Sequence, residues 1–339
     1  MKKKIAVTGG AGYIGSHTVA ELVEAGFEPV IIDDFRNSET WIIERLCKIT
    51  GKNLIGYAID CADEKELISV FRKHPDITGV IHFAAYKAVG ESVEFPVKYY
   101  QNNIGSLCAV LQAMQTCGIH DLVFSSSCTV YGQPEQPEVI EETPIQSAAS
   151  PYGDTKIISE RIIQHAVKAN KNLRAGLLRY FNPIGAHPSA IIGELPLGVP
   201  NNLVPYITQT AAGIREQLVV NGNDYSTKDG TNIRDYIHVV DLAKAHVKTL
   251  QWLSEQVDNT CEAFNLGTGQ GTSVLEIIHT FEKVNQLKLN YRVGPRRAGD
   301  VEQIFANPEK AYRILKWKCE FTVADALLHA WEWQKTLKK

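Results

Sequence analysis

Residues 4–16 read KIAVTGGAGYIGS: a short apolar run, Lys4–Thr8, then a glycine-rich turn, then the opening of an amphipathic stretch. Strand, loop and helix in that order at the head of the chain decide the fold class. The loop carries GxGxxG at Gly10, Gly12 and Gly15, and also GxxGxxG at Gly9, Gly12 and Gly15. Three demands exclude a side chain here: a tight turn, close approach of backbone to a pyrophosphate, and close packing of helix on strand. A helix start at Ser16 would aim free N–H groups at the anion. The arrangement predicts a dinucleotide site. The next apolar run, Glu28–Asp33, is predicted to be a second strand, and it ends in Asp33-Asp34. Asp33 lies 18 residues after Gly15, the spacing of a carboxylate that bonds the adenosine ribose hydroxyls. A carboxylate there repels the extra phosphate of NADP, so NAD is expected. Arg36 is the contrary sign, since an arginine can accept that phosphate.

Working outward, His17–Ala25 reads as a helix. Further strands are predicted at Asn53–Asp60, Gly79–Phe83, Asp121–Ser125 and Arg174–Tyr180. Strands separated by helices imply parallel pairing with right-handed crossovers. The predicted class is α/β, a doubly wound parallel Rossmann sheet with a smaller C-terminal α/β substrate lobe. After Asn182 the pattern changes: residues 183–232 are rich in Gly, Pro and Asn, with one plausible helix near Val204–Arg215. Asp235–Trp252 returns to strand-then-helix and is expected to rejoin the first lobe. The expected division is 1–182 plus about 233–261 for the NAD-binding domain, and about 183–232 plus 262–339 for a sugar-nucleotide lobe.

Tyr152 and Lys156 form Tyr-x-x-x-Lys in a segment that reads as a helix start, with Ser150 as cap and Pro151 in the first turn. A spacing of four puts both side chains on one helix face. A tyrosine, with a free pKa of ~10, needs that value lowered by roughly 3 units to act as a base near neutrality. A neighbouring lysine and a positive nicotinamide ring are the charges expected to do so. Ser125-Ser126-Ser127 ends the fifth predicted strand, where open parallel sheets place their ligands. A hydroxyl there can bond the oxygen that gains or loses a proton.

Composition sets the outer bounds. The 339 residues are 44% hydrophobic and 22% charged, as in an ordinary globular protein. A formal net charge of -3 argues against nucleic-acid and membrane-surface partners. Seven cysteines are scattered without a CxxC pair, which predicts reduced thiols in a cytoplasmic protein and no metal. The start Met1-Lys2-Lys3-Lys4 is like the charged end of an export signal. Only Ile5–Gly9 separates it from the loop, too short for export, and no stretch approaches the ~18 apolar residues of a membrane span.

The order of glycine loop, acidic residue, serine and Tyr-x-x-x-Lys resembles the extended short-chain dehydrogenase/reductase family. Residues 8–16 (TGGAGYIGS), 82–92 (HFAAYKAVGES), 178–188 (LRYFNPIGAHP), 200–205 (PNNLVP) and 222–241 (GNDYSTKDGTNIRDYIHVVD) look like its branch acting at carbon 4 of UDP-hexoses. Ser125–Gly132, Ser150–Lys156, Asn265–Gly269 and Arg296–Asp300 extend the likeness over nearly the whole chain. The resemblance implies reversible epimerisation of UDP-glucose and UDP-galactose through a 4-keto sugar, with tightly bound NAD, in a homodimer. Ser127, Tyr152 and Lys156 would be catalytic. NAD would meet Gly9, Gly12, Tyr13, Ile14, Gly15, Asp33, Asn37, Ser38, Asp60, Cys61, Phe83, Ala84, Lys87, Asn102, Tyr152 and Lys156, with Phe181 near the nicotinamide. The sugar nucleotide would meet Ser127, Tyr152, Asn182, Asn202, Leu203, Arg234, Arg297, Asp300 and Ile304.

Three residues depart from the family pattern. Cys61 stands for a larger aliphatic residue, and Cys128 for a smaller residue after the serines. Ile304 falls where the family controls room around the sugar's position-2 substituent, and its intermediate size leaves open whether N-acetylated sugars enter. Two rivals are a 4,6-dehydratase and a silent NAD-binding scaffold on the same fold. The dehydratase would need an Asp-Glu pair where Cys128-Thr129 stands; the intact Ser127, Tyr152 and Lys156 weigh against the scaffold.

Overall fold

The structure, a computed structural model, describes residues 3–297 and 300–337. In chain order its strands are β1 (Lys4–Thr8), β2 (Glu28–Asp33), β3 (Ile55–Ala58), β4 (Ile77–His82), β5 (Asp121–Ser125), β6 (Glu138–Val139), β7 (Arg174–Tyr180), β8 (Asn182–Ile184), β9 (Leu218–Asn221), β10 (Ile233–His238), β11 (Thr260–Leu266), β12 (Gly271–Ser273), β13 (Tyr291–Gly294) and β14 (Gln303–Ala306). The helices are α1 (Tyr13–Glu24), α2 (Trp41–Thr50), α3 (Glu64–Lys73), α4 (Val89–Glu94), α5 (Pro96–Cys117), α6 (Pro151–Ala169), α7 (Leu203–Ala211), α8 (Val239–Glu255), α9 (Val274–Asn285), α10 (Glu309–Leu315) and α11 (Val323–Thr336).

Seven strands pair in the order β11-β7-β5-β4-β1-β2-β3, and every pairing is parallel. The inner strands are continuous apolar runs because helices cover both faces. Val30, Ile31 and Ile32 of β2 and Val80 and Ile81 of β4 have no exposure at all. One face is packed by α1, α2, α8 and α10, the other by α3, α5 and α6. This is the doubly wound class expected from the sequence, with the glycine loop at the carboxyl end of β1.

Local expectations shift in identifiable ways. Helix α1 begins at Tyr13 with Gly12 as its N-cap, three residues before Ser16. The first intrahelical bond is Ser16 N–H to Gly12 C=O at 2.9 Å, so the unbonded first-turn amides are those of Tyr13, Ile14 and Gly15. Helix α7 stops at Ala211, short of Arg215, because the chain turns at Gly213 with φ 70°. The stretch Asp235–Trp252 divides between two places. Helix α8 joins the large sheet, packing on α1. Strand β10 does not: it pairs with β8, β12 and β14 in a second, five-stranded sheet that also takes β6. Conversely, the expected boundary at residue 261 falls inside β11, which pairs with β7 through Leu266. Helices α7, α9 and α11 pack around a separate apolar cluster centred on Ile207, Ile277, Phe281 and Leu327.

One buried group in this frame carries a pH signature. Asp241, in the first turn of α8, is fully buried. Its Oδ2 accepts from the amides of Glu320 and Phe321, both at 3.0 Å, while Oδ1 has no partner among the described residues. Burial pushes its carboxyl up from 3.8 to about 6, outweighing the two amides. A carboxyl whose folded pKa is raised favours the protonated native state, so its contribution falls as pH rises from 3.8 through about 6. Asp241→Asn keeps an oxygen for the two amides and removes the charge. It is expected to raise stability by ~1–3 kcal/mol at pH 8 and to leave it unchanged near pH 4. Melting temperature against pH checks this; an equal drop at both pH values would refute it.

Candidate active site

The carboxyl ends of β1, β2, β4, β5 and β7 open into one cavity of about 430 Å³. Its first wall is the glycine loop. Gly9 has φ 69°, and a Cβ there would lie 2.8 Å from the amide of Ala84. A Cβ on Gly12 would meet only the Gly9 carbonyl, at 3.2 Å, and Gly12 lines the cavity together with Tyr13, Ile14 and Gly15. The loop thus presents bare backbone and the unbonded amides of α1, a cradle for a pyrophosphate. Asp33 is buried beside it. Its Oδ2 accepts from Ala11 N–H at 2.9 Å, and its Oδ1 from Phe35 N–H at 3.0 Å and Ser38 Oγ–H at 2.9 Å. Burial raises its carboxyl, opposed by those three donors. Asn37, Ser38, Asp60, Cys61, Phe83, Ala84, Lys87 and Asn102 complete this end.

At the centre, Ser150 caps α6 through Gly153 N–H at 3.2 Å, with Pro151 in the first turn. The helix brings Tyr152 and Lys156 to the cavity, facing Ser127 at the end of β5. The Lys156 Nζ lies 5.9 Å from the Tyr152 ring centroid and donates to the Ser125 carbonyl at 2.6 Å. Burial pulls its ammonium down to about 8, and Glu160 one turn on works against that. The Tyr152 phenol moves opposite to the need of a base. Burial holds it well above 10, with Tyr180 adding to the rise and Ser127 countering it.

The far end is walled by Phe181, Asn182, Asn202, Arg234, Arg297, Asp300 and Ile304. Arg297 is held by Asp300, whose Oδ1 accepts from Nε at 3.1 Å and from Nη2 at 2.6 Å. Arg234 donates to the Ile233 carbonyl at 2.8 Å. Two guanidinium groups at one end of a cavity suit phosphate oxygens. Leu203 opens α7 directly after Asn202, and its apolar side chain packs on the Ile207–Phe281 cluster.

Comparison with known proteins places this geometry. A family model described as GDP-mannose 4,6 dehydratase matches residues 6–328. The UDP-glucose 4-epimerase of Bacillus subtilis is 49% identical over 334 residues, 98% of this chain and 97% of that one. The chain belongs to the UDP-glucose 4-epimerase family. Among solved epimerase structures, that of Stenotrophomonas maltophila, with bound NAD and formylated UDP-arabinopyranose, superposes with a TM-score of 0.95 at 44% identity, covering 98% of each chain. That of Bifidobacterium longum, in complex with NAD+ and UDP, gives 0.94 at 42% identity over 98% of each chain.

Beneath this epimerase-family cavity lies a polar layer that reading along the chain missed. Arg179 of β7 and Glu160 of α6, 4% and 1% exposed, form a two-pronged pair at 2.9 and 2.7 Å. Glu160 also accepts from Ser126 Oγ at 2.5 Å, and Arg179 donates to Tyr131 Oη at 3.0 Å. Tyr131 in turn donates to Asn265 at 2.7 Å. The network ties β5, the turn Cys128–Tyr131, α6 and β11 together directly under Ser127 and Lys156. The one signal in the sequence was Glu160 standing four residues after Lys156. Tyr180, bonded to Ser125, was missed likewise.

Proposed function

We propose that this chain interconverts UDP-glucose and UDP-galactose by inverting carbon 4 through a transient 4-keto sugar, with NAD retained from cycle to cycle. One observation carries the reading. Ser127, Tyr152 and Lys156 line one cavity together with the glycine cradle and the two arginines Arg234 and Arg297. The cradle fits the cofactor: Gly9 and Gly15 admit no Cβ, while Gly12 turns its bare face to the cavity. NAD would supply the reversible hydride acceptor for carbon 4. Tyr152 Oη takes the proton of the 4-hydroxyl and returns it after the ring has presented its other face. Ser127 Oγ bonds the same oxygen. Lys156 holds ribose and adds positive charge beside the phenol. Arg234 and Arg297 grip the diphosphate while the hexose turns.

The family model's description keeps a 4,6-dehydratase in view. Water loss from carbons 5 and 6 needs an acid and a base beyond Tyr152. Cys128 and Thr129 occupy that wall, and burial pushes the Cys128 thiol up to about 12. Neither side chain exchanges a proton near neutrality. The deciding experiment is incubation with UDP-galactose and no added cofactor, with products resolved by chromatography. UDP-glucose at equilibrium is the expected product; a 4-keto-6-deoxy sugar would replace the proposal with dehydration.

Three finer readings belong here. The NAD-binding domain is assigned to residues 1–182 with the α8 and β11 segments, and the sugar-nucleotide lobe to the remainder. A homodimer through α5 and α6, which pack side by side on one face, is expected; a monomer by light scattering would remove it. The seven free cysteines suit the reducing cytoplasm. Among the described residues no helix is long and apolar enough to cross a membrane.

Substrate breadth turns on Ile304. It is 5% exposed on β14, packed with Phe181 and Val301 at the cavity wall. A branched side chain is stiff, and overpacking it by an acetamide costs ~1–3 kcal/mol. Slow turnover of UDP-N-acetylglucosamine, roughly one to two decades below UDP-glucose, is therefore expected. Ile304→Gly should narrow that ratio of kcat/KM values. An unchanged ratio would show that another residue sets the pocket.

A further inference from the structure

Arg36 leaves the carboxyl end of β2 and reaches sideways over the adenosine end of the cavity. Its Nε lies 2.5 Å from Asp34 Oδ2, and its Nη2 is paired with Asp60 beyond β3. On the other side Nη1 donates to Tyr86 Oη at 2.9 Å, in the loop after β4, and to Asn102 Oδ1 at 3.3 Å on α5. The sheet order is β4-β1-β2-β3, so this one side chain spans from the β3 loop to the β4 loop above the glycine turn and Asp33. All five residues line the cavity.

A guanidinium has five N–H donors; three are hydrogen-bonded here, and the Nε lies against a carboxylate. Two carboxylates flank it. The group is thereby neutralised and lacks the potential to attract a second phosphate, and the reading of Arg36 as an NADP determinant loses its basis. Its geometry is that of a tie between loops that a dinucleotide must pass.

We propose that Arg36 is a latch that closes over the adenosine half of the cavity and slows dinucleotide release. The proposal rests on the reading of this cavity as an NAD site. A planar fork makes the tie possible, since one ammonium cannot satisfy partners on both sides at once. The contacts are partly exposed and individually weak. Together they are expected to slow release about tenfold, and salt screens them.

The test uses the whole chain loaded with isotope-labelled NAD+ and chased with excess unlabelled NAD+, with retained label measured after rapid desalting. Arg36→Ala should lose label about tenfold faster and Arg36→Lys several-fold faster. Salt at about 1 M should speed release from the wild-type chain while barely changing Arg36→Ala. Equal release from all three chains overturns the latch and leaves the NAD site standing. So does faster uptake with tighter binding by Arg36→Ala, which would mean the tie blocks the cavity and breaks on binding. A selective loss of NADP+ binding in Arg36→Ala overturns it in favour of a phosphate contact. A wild-type chain that takes up no dinucleotide overturns the NAD reading, and the latch with it.

Discussion

Tyr152→Phe is expected to lower kcat about a thousandfold while the fold and the retained dinucleotide stay as they are. The substitution removes one oxygen and keeps the ring that packs beside Lys156. Among the described residues, neither neighbour at this point of the cavity is set to take the 4-hydroxyl proton. Ser127 is an unactivated alcohol, and Lys156 points its ammonium at the Ser125 carbonyl at 2.6 Å. Within the chain, burial holds the phenol well above 10, so at neutral pH it carries its proton. Ionising it requires positive charge that arrives with the cofactor and stays, which couples catalysis to NAD retention. The check is the rate of UDP-glucose formation from UDP-galactose, alongside a thermal melt and the absorbance of bound dinucleotide. Turnover within tenfold of the wild-type chain would remove Tyr152 from the proposed role.

Gly15→Ala is expected to weaken dinucleotide binding at least about a hundredfold, by tearing the cradle rather than by filling it. A Cβ at residue 15 would sit 2.1 Å from the Gly9 carbonyl oxygen and 2.9 Å from the Gly10 Cα. Both are backbone atoms of the same loop, so no rotamer change relieves the clash. Gly9 cannot retreat, because its own free side already faces the Ala84 amide. The first turn of α1 must then move, and with it the amides of Tyr13 and Ile14. Gly105→Ala is the control. That glycine lies within α5 with nothing inside 4 Å of an added Cβ, so a gain of a few tenths of a kcal/mol is expected. Binding of NAD+ by calorimetry distinguishes the two; a Gly15→Ala chain that binds like wild type would show that the loop does not cradle the ligand.

The limits of the linear reading are clearest at Arg36 and at the Arg179–Glu160 pair. Arg36 could be read only as a positive charge near a ribose site, because its distant partners come from two other loops and a helix. Its meaning reverses once Asp34 and Asp60 are seen to hold it. Glu160 and Arg179 are 19 residues apart, and each alone reads as a surface charge. Buried and unpaired, either would be costly, so their meeting is a condition of the fold rather than an option. Leu203 shows a different limit: its apolar side chain turns to the Ile207–Phe281 cluster, which a motif match over the segment does not tell.

What the sequence determined by itself was everything that short-range physics encodes. Glycines where a Cβ cannot fit, a carboxylate at the end of β2, a serine-and-proline helix start before Tyr152, and doubly buried apolar strands all announce themselves within a few residues. The tertiary structure alone decided which strands share a sheet and which distant charges meet. Strand β11 became the seventh strand of the large sheet, whereas β10, just before α8, went to the other. Both are short runs with similar local patterns. Strand choice follows from which edge and which apolar faces remain to be covered when the rest of the chain is in place, and that is a property of the packed whole.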